Sequence, residues 1–141
     1  MRVNVQWKEG MHLVGKGENS PVEIHIDAVK EHGGASKGAA PKELVLMGLA
    51  SCTMLDVLSI LKKMKIDLQA FSVEVEADST NEHPKVFKNI YIQYTFYGKG
   101  IPEDKVKRAI NLSQEKYCGV SEMLRKTANI TASFQIKEGE Q

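Results

Sequence analysis

The sequence predicts an α+β fold with largely antiparallel strands, in the order βββ-α-ββ-αα-β. Alternating polar and apolar residues mark several short strands, an apolar stretch of helical length separates two groups of them, and two short helical patterns precede the last strand. With 141 residues, of which 42% are hydrophobic, the chain is long enough for one domain with a sizeable core. We therefore expect a single domain over residues 1–141.

The N-terminal part predicts a meander of three strands, with alternation over residues 3–7, a weaker run over residues 12–16 and alternation again over residues 22–27. The connector that follows, GGASKGAAP, contains two glycines at the spacing of a phosphate-binding loop. Ala39 and Ala40 stand where that loop needs a lysine and a hydroxyl side chain. The connector is therefore not a nucleotide-binding loop.

An apolar segment, LVLMGLASCTMLDVLSIL, predicts a long central helix from about Pro41 to Lys65. Residues 44–61 approach the ~20 residues that span a bilayer, but Asp56 lies well inside them and small polar residues dilute them. A helix that is apolar nearly all round belongs inside a protein or an oligomer. We expect a buried core helix, no membrane contact, and a specific partner for the carboxylate of Asp56.

The second half of the sequence predicts a β-hairpin, two helices and a final strand. Residues 71–77 alternate, and after a turn at residues 81–84 the run VFKNIYIQYTFY is rich in aromatic and β-branched side chains. An amphipathic helix begins at Pro102, a second short helix opens at Cys118, and residues 130–136 form the last strand. These elements complete the α+β order.

Charge and cysteine content narrow the function classes. Nineteen basic and eighteen acidic side chains leave a net charge of +1, so no global field attracts nucleic acid. The N-terminus lacks the apolar region and cleavage site of a signal peptide, and we expect a cytoplasmic protein. There, paired cysteines are more often catalytic or metal-bound than structural. The four histidines show no metal-ligand spacing with either cysteine, so we expect no metal.

The two cysteines, Cys52 and Cys118, occupy different settings. Cys118 faces the unpaired N–H groups of a helix start, which stabilise a thiolate. Cys52 lies too far from the N-terminus of its helix to gain this stabilisation. Burial and the carboxylate of Asp56, one turn later, both disfavour its thiolate. Cys52 therefore needs a nearby cation or hydrogen bond to act as a nucleophile, and packing is the ordinary role of such a residue.

The pattern PKELVLMGLASCTMLDV at residues 41–57, followed by EKYCGVS at residues 115–121, resembles the OsmC/Ohr family of thiol peroxidases and their OsmC-like relatives. The resemblance covers the whole chain and implies an intertwined homodimer, with the central helices buried together. It implies that Cys52 attacks an organic hydroperoxide, that Cys118 resolves the sulfenic acid as a disulfide, and that an external dithiol reopens it. It implies no metal or organic cofactor, and a role in oxidative or osmotic stress defence.

Two departures from the family pattern concern the activation of Cys52. In typical members an acidic residue directly follows the proline, whereas here Lys42 follows it and Glu43 comes next. Glu43 is the candidate for the activating acid, although a first-turn acid is also the ordinary partner of a helix dipole. The family's N-terminal arginine has no counterpart in residues 8–41. The candidate replacements are Lys16, Lys37 and Lys42, which lack the bidentate fork of arginine.

Three functions remain open on the sequence. The leading one is a cysteine-based peroxidase that reduces organic hydroperoxides. The second is a non-enzymatic redox sensor or small-molecule-binding dimer that keeps a reversible dithiol. In the third, both cysteines are packing residues of a structural dimer.

Overall fold

The computed structural model describes residues 1–139, and the elements follow the expected order. The strands are β1 (Val3–Glu9), β2 (His12–Gly17), β3 (Ser20–Ile26), β4 (Ala70–Ser79), β5 (Phe87–Tyr97) and β6 (Asn129–Lys137), and the helices are α1 (Pro41–Lys63), α2 (Glu103–Leu112) and α3 (Gly119–Arg125). The described chain forms two compact units that divide after Leu46, within α1. A single domain over residues 1–141 stays a prediction.

The first unit contains an antiparallel sheet in the order β1-β2-β3, which confirms the predicted meander. The alternating apolar side chains of its two outer strands are nevertheless exposed in the single chain. These exposed side chains are Val3, Val5, Trp7, Val22 and Ile24. The unit therefore presents an apolar surface of the kind that marks an interaction site.

Asp27 anchors the glycine-rich connector that follows β3. Its buried carboxylate accepts hydrogen bonds from the backbone N–H groups of Lys37 and Ala35, both at 3.0 Å, and these hold the pKa of Asp27 below its usual range. A Cβ atom on Gly38 would lie 2.2 Å from the carbonyl of His25, so only glycine fits there. The connector is thus an ordered segment that packs against the end of β3.

The second unit contains a three-stranded sheet with β5 at its centre. β4 and β5 pair antiparallel, which confirms the predicted hairpin. β6 pairs with β5 in parallel, because the helical connection carries the chain back before it re-enters the sheet. The core side chains of β5 are Ile90, Ile92, Tyr94 and Phe96. Phe71 of β4 stacks on Phe96, with ring centroids 4.4 Å apart.

Only one stripe of α1 is buried in the single chain. The stripe consists of Leu49, Thr53, Val57 and Leu61, spaced one helical turn apart. The exposed apolar side chains of α1 are Val45, Met47, Leu55 and Leu58. The prediction of a buried core helix is therefore wrong for the single chain, since 22% of its most apolar 18-residue window is buried. By length and composition alone, α1 is also apolar enough to cross a membrane.

Candidate functional site

The second unit brings the two cysteines together. The sulfur atoms of Cys52 and Cys118 and a carboxylate oxygen of Asp56 all lie within 4.8 Å of one another. Both thiols are free, and Cys118 is buried, with 3% of its surface exposed, whereas Cys52 is half-buried. The site is therefore a dithiol with one accessible and one covered sulfur, next to a carboxylate.

Two segments position these three side chains. Cys52 and Asp56 lie one turn apart on α1, beside the buried stripe. After α2, a π-helical turn (Ser113–Tyr117) ends where the N–H of Cys118 donates to the carbonyl of Ser113 at 2.7 Å. Cys118 then has an extended backbone, and α3 begins at the next residue, as predicted. The turn places Ser113 and Cys118 against the same face of α1.

Backbone N–H groups at the start of α3 contact both sulfurs. The Sγ of Cys118 accepts a hydrogen bond from the N–H of Ser121 at 3.4 Å, and the Sγ of Cys52 accepts one from the N–H of Val120. Burial nevertheless raises the pKa of the Cys52 thiol, and the Cys118 thiol and the Asp56 carboxylate raise it further. At neutral pH these neighbours favour the thiol of Cys52 over its thiolate.

The expected partner of Asp56 is Ser113, whose hydroxyl donates to the carboxylate at 2.9 Å. This bond is one end of a polar network beneath the dithiol. Thr53 contacts the hydroxyl of Ser113 at 2.8 Å and that of Tyr94 at 2.6 Å, and the amide of Gln114 donates to both Thr53 and Tyr94 at 3.0 Å. Thr53, Tyr94 and Ser113 are all fully buried. Each hydroxyl therefore has the partner that burial requires.

The carboxylate determines which hydroxyl donates in each bond. The hydroxyl of Ser113 donates its single proton to the carboxylate of Asp56, so Ser113 accepts from Thr53. Thr53 in turn accepts from Tyr94. Burial raises the pKa of Tyr94, which keeps its hydroxyl protonated as the donor. The network is thus polarised in one direction, from β5 towards Asp56.

The sequence interpretation missed Thr53, Tyr94, Ser113 and Gln114. One signal for Thr53 was present, since it stands one turn from Leu49 and from Val57 in the apolar stripe of α1. A polar side chain at such a position needs a buried partner. Its partners come from distant segments, and the sequence contains no comparable signal for them.

Glu43 and the candidate lysines belong to the first unit, and the dithiol belongs to the second. The carboxylate of Glu43 accepts a hydrogen bond from the N–H of Ala40 at 3.0 Å, as a first-turn acid does at a helix N-terminus. Lys16 and Lys37 each pair with a glutamate of their own unit, at 3.5 and 2.6 Å. The roles of Glu43, Lys16, Lys37 and Lys42 in activating Cys52 stay predictions.

Comparison with known proteins identifies the family. Residues 33–133 match the family model described as OsmC-like protein. The chain is 33% identical over 136 residues to Protein YhfA of Escherichia coli (strain K12), covering 96% of this chain and 98% of YhfA. A hypothetical protein from Aquifex aeolicus VF5 has a crystal structure with a TM-score of 0.85 at 29% identity, over 99% of this chain and 97% of that one. An organic hydroperoxide resistance protein from Elizabethkingia anophelis shares the fold, with a TM-score of 0.71 at 15% identity over 97% of each chain. The chain belongs to the OsmC-like protein family.

Proposed function

We propose that this protein is a thiol-dependent reductase of organic hydroperoxides, in which Cys52 attacks and Cys118 resolves. The observation that carries the proposal is the approach of two free thiols to within 4.8 Å. A small movement brings such sulfurs to the ~2.05 Å of a disulfide. Membership of the OsmC-like family and the name of the Elizabethkingia protein, an organic hydroperoxide resistance protein, support the substrate class.

The reaction has three balanced steps. The thiolate of Cys52 attacks the terminal oxygen of the hydroperoxide, the O–O bond breaks, and the alkoxide leaves with a proton as the alcohol, while Cys52 becomes a sulfenic acid. The thiol of Cys118 then attacks this sulfur, and a disulfide forms as water leaves. An external dithiol exchanges with the disulfide, restores both thiols and becomes oxidised itself. The protein needs no organic cofactor for these steps.

The unequal exposure of the two sulfurs supports their proposed roles. Cys52 is half-buried and lies on the accessible side of the pair, whereas Cys118 is 3% exposed. A hydroperoxide with an organic substituent therefore reaches Cys52, the more exposed of the two residues, first. The sulfur of Cys118 accepts a hydrogen bond from the N–H of Ser121, which holds it next to Cys52. From this position it can attack a sulfenic acid on Cys52 without a rearrangement of the turn.

The proposal is tested by peroxide consumption in wild type, Cys52→Ser and Cys118→Ser, with cumene hydroperoxide and a dithiol donor. We expect Cys52→Ser to lose about 1000-fold or more of the rate, as enzymes do when the nucleophile is removed. Without the dithiol donor, Cys118→Ser should consume one equivalent of peroxide and stop with a sulfenic acid that dimedone traps. Mass spectrometry of oxidised wild type should show the Cys52–Cys118 disulfide.

The matched control is Ser51→Ala, which changes an exposed residue next to Cys52 on the same helix and should keep the wild-type rate. Two outcomes would contradict the proposal. If both thiols stay intact after a modest excess of peroxide, there is no peroxidase. If Cys52→Ser consumes peroxide as fast as wild type, the roles of the two cysteines are misassigned.

A redox sensor is the second candidate function, since two free thiols within 4.8 Å of each other can form a reversible disulfide whether or not the protein turns over peroxide. Burial, the Cys118 thiol and the Asp56 carboxylate raise the pKa of Cys52, which slows its reaction with an oxidant in either role. A sensor is oxidised and does not turn over. Formation of the disulfide without turnover, when peroxide and dithiol are both in excess, would favour the sensor over the enzyme.

We also propose a homodimer in the cytoplasm. The exposed apolar side chains of α1 and of the first sheet support the dimer. Leu55, in the middle of α1, is 67% exposed in the single chain. We expect wild type to sediment as two chains at micromolar concentration and Leu55→Glu to shift towards one chain. Lys99→Glu, on an exposed turn, is the control. A single-chain mass for wild type without detergent would contradict the dimer, and a requirement for detergent would favour a membrane contact.

A further inference from the structure

The dithiol and its carboxylate have the composition of a metal site. Among the described residues, Cys52, Asp56 and Cys118 each offer one ligand atom, and the three atoms lie within 4.8 Å of one another. Sequence spacing gave no indication of this, because Cys118 comes from a distant segment. Two thiolates and one carboxylate together suit zinc, which accepts sulfur and oxygen ligands in tetrahedral geometry.

The distances fit a zinc ion after a small contraction. Zinc binds sulfur at about 2.3 Å and carboxylate oxygen at about 2.0–2.2 Å, so tetrahedral ligand atoms are about 3.5–3.8 Å apart. The widest separation in the cluster therefore closes by about 1.3 Å or less. Cys52 and Asp56 are half-buried, which leaves access for a water molecule as the fourth ligand of a tetrahedral ion.

Each of the three ligand groups already has a supporting hydrogen-bond donor. The N–H of Ser121 holds the sulfur of Cys118, the N–H of Val120 holds that of Cys52, and the hydroxyl of Ser113 donates to Asp56. Donors of this kind fix the orientation of metal ligands and spread the negative charge on them. Each of the three ligand groups is therefore held in place by a hydrogen bond, unlike the members of a chance group of surface side chains.

We propose that the reduced protein binds one zinc ion per chain through Cys52, Asp56 and Cys118, and that oxidation of the two thiols releases it. A disulfide between the cysteines takes one electron from each sulfur and removes both thiolate ligands. The electrons pass to the oxidant, either an organic hydroperoxide or a chemical thiol oxidant such as diamide. Bound zinc and the disulfide are thus mutually exclusive, and the ion shields the thiols while it stays bound. Metal binding does not depend on the proposed peroxidase activity.

The test uses the full-length reduced protein, freed of metal and kept under inert gas. Cobalt(II) replaces zinc as a spectroscopic probe, because thiolate-to-cobalt charge transfer and d–d absorption report sulfur ligation and tetrahedral geometry. We expect one cobalt ion per chain, displaced by one zinc ion. The affinity for zinc should fall by about 100-fold or more in Cys52→Ser and in Cys118→Ser, and by about 10-fold or more in Asp56→Asn.

Asp67→Asn is the matched control, since it removes an exposed acid outside the cluster and should bind cobalt as wild type does. Wild type oxidised with diamide should bind no cobalt and should recover binding after reduction, a measurement that holds even if a cysteine variant fails to fold. Three results would overturn the proposal: no charge-transfer band in reduced wild type, equal binding by oxidised and reduced protein, or an unchanged affinity in folded Asp56→Asn. Peroxide consumption with a chelator present tests the peroxidase separately.

Discussion

Replacing Thr53 with valine is expected to lower the free energy of unfolding by about 3 kcal/mol. Valine has nearly the same shape, so the packing against β5 is kept, but three hydrogen bonds of about 1 kcal/mol each are lost. They join Thr53 to Tyr94, Ser113 and Gln114. Urea unfolding monitored by circular dichroism measures the change. The large expected effect comes from full burial, because water does not replace the missing partner.

Two further variants separate the network from general packing. Tyr94→Phe removes the two bonds of the tyrosine hydroxyl, to Thr53 and Gln114, and leaves Thr53 bonded to Ser113 and Gln114, so we expect a smaller loss of about 2 kcal/mol. Thr131→Val makes the same change on exposed β6 and should leave the free energy of unfolding within about 0.5 kcal/mol of wild type. A Thr53→Val variant as stable as Thr131→Val would show that the network contributes nothing to stability.

Local patterns in the sequence predict most of the second unit. The alternation of residues 71–77 and the aromatic run after the turn place β4 and β5, because a strand of a half-buried sheet has a period of two. The short helical pattern that opens at Cys118 places α3, which begins directly after this residue. The parallel pairing of β6 with β5 could also have been predicted from the sequence. A connection through two helices spans the length of a sheet, so the next strand can run in the same direction as the previous one.

The surroundings of α1 and of Cys52 were less predictable. A helix that is apolar on all sides must be covered, but the sequence does not say whether the cover comes from its own chain, and the single chain covers one stripe. The polar network was hidden for a different reason. Its members look like isolated polar residues until the fold brings Thr53, Tyr94 and Ser113 together from three distant segments.

Replacing Asp56 with asparagine is expected to make Cys52 more reactive, with faster alkylation by iodoacetamide at pH 7. The carboxylate is one of the neighbours that raise the pKa of Cys52, so removing its charge lowers that pKa and increases the fraction of thiolate at neutral pH. Asparagine keeps an oxygen that accepts from Ser113, so the network persists. Peptide mapping by mass spectrometry separates the alkylation of Cys52 from that of Cys118.

The pH dependence shows which influence on Cys52 dominates. Burial is the first cause of its raised pKa, ahead of the Cys118 thiol and the Asp56 carboxylate, so the midpoint of alkylation against pH should stay above the ordinary ~8.5 of a thiol even in Asp56→Asn. Because folding favours the thiol, the stability that Cys52 contributes is present below that ordinary value and is lost as the pH rises through its folded pKa. Asp67→Asn, which removes an exposed charge, should keep the wild-type midpoint. A midpoint that does not move in Asp56→Asn would mean that the field of the carboxylate fails to reach the sulfur, and the activation of Cys52 would then have to be sought elsewhere.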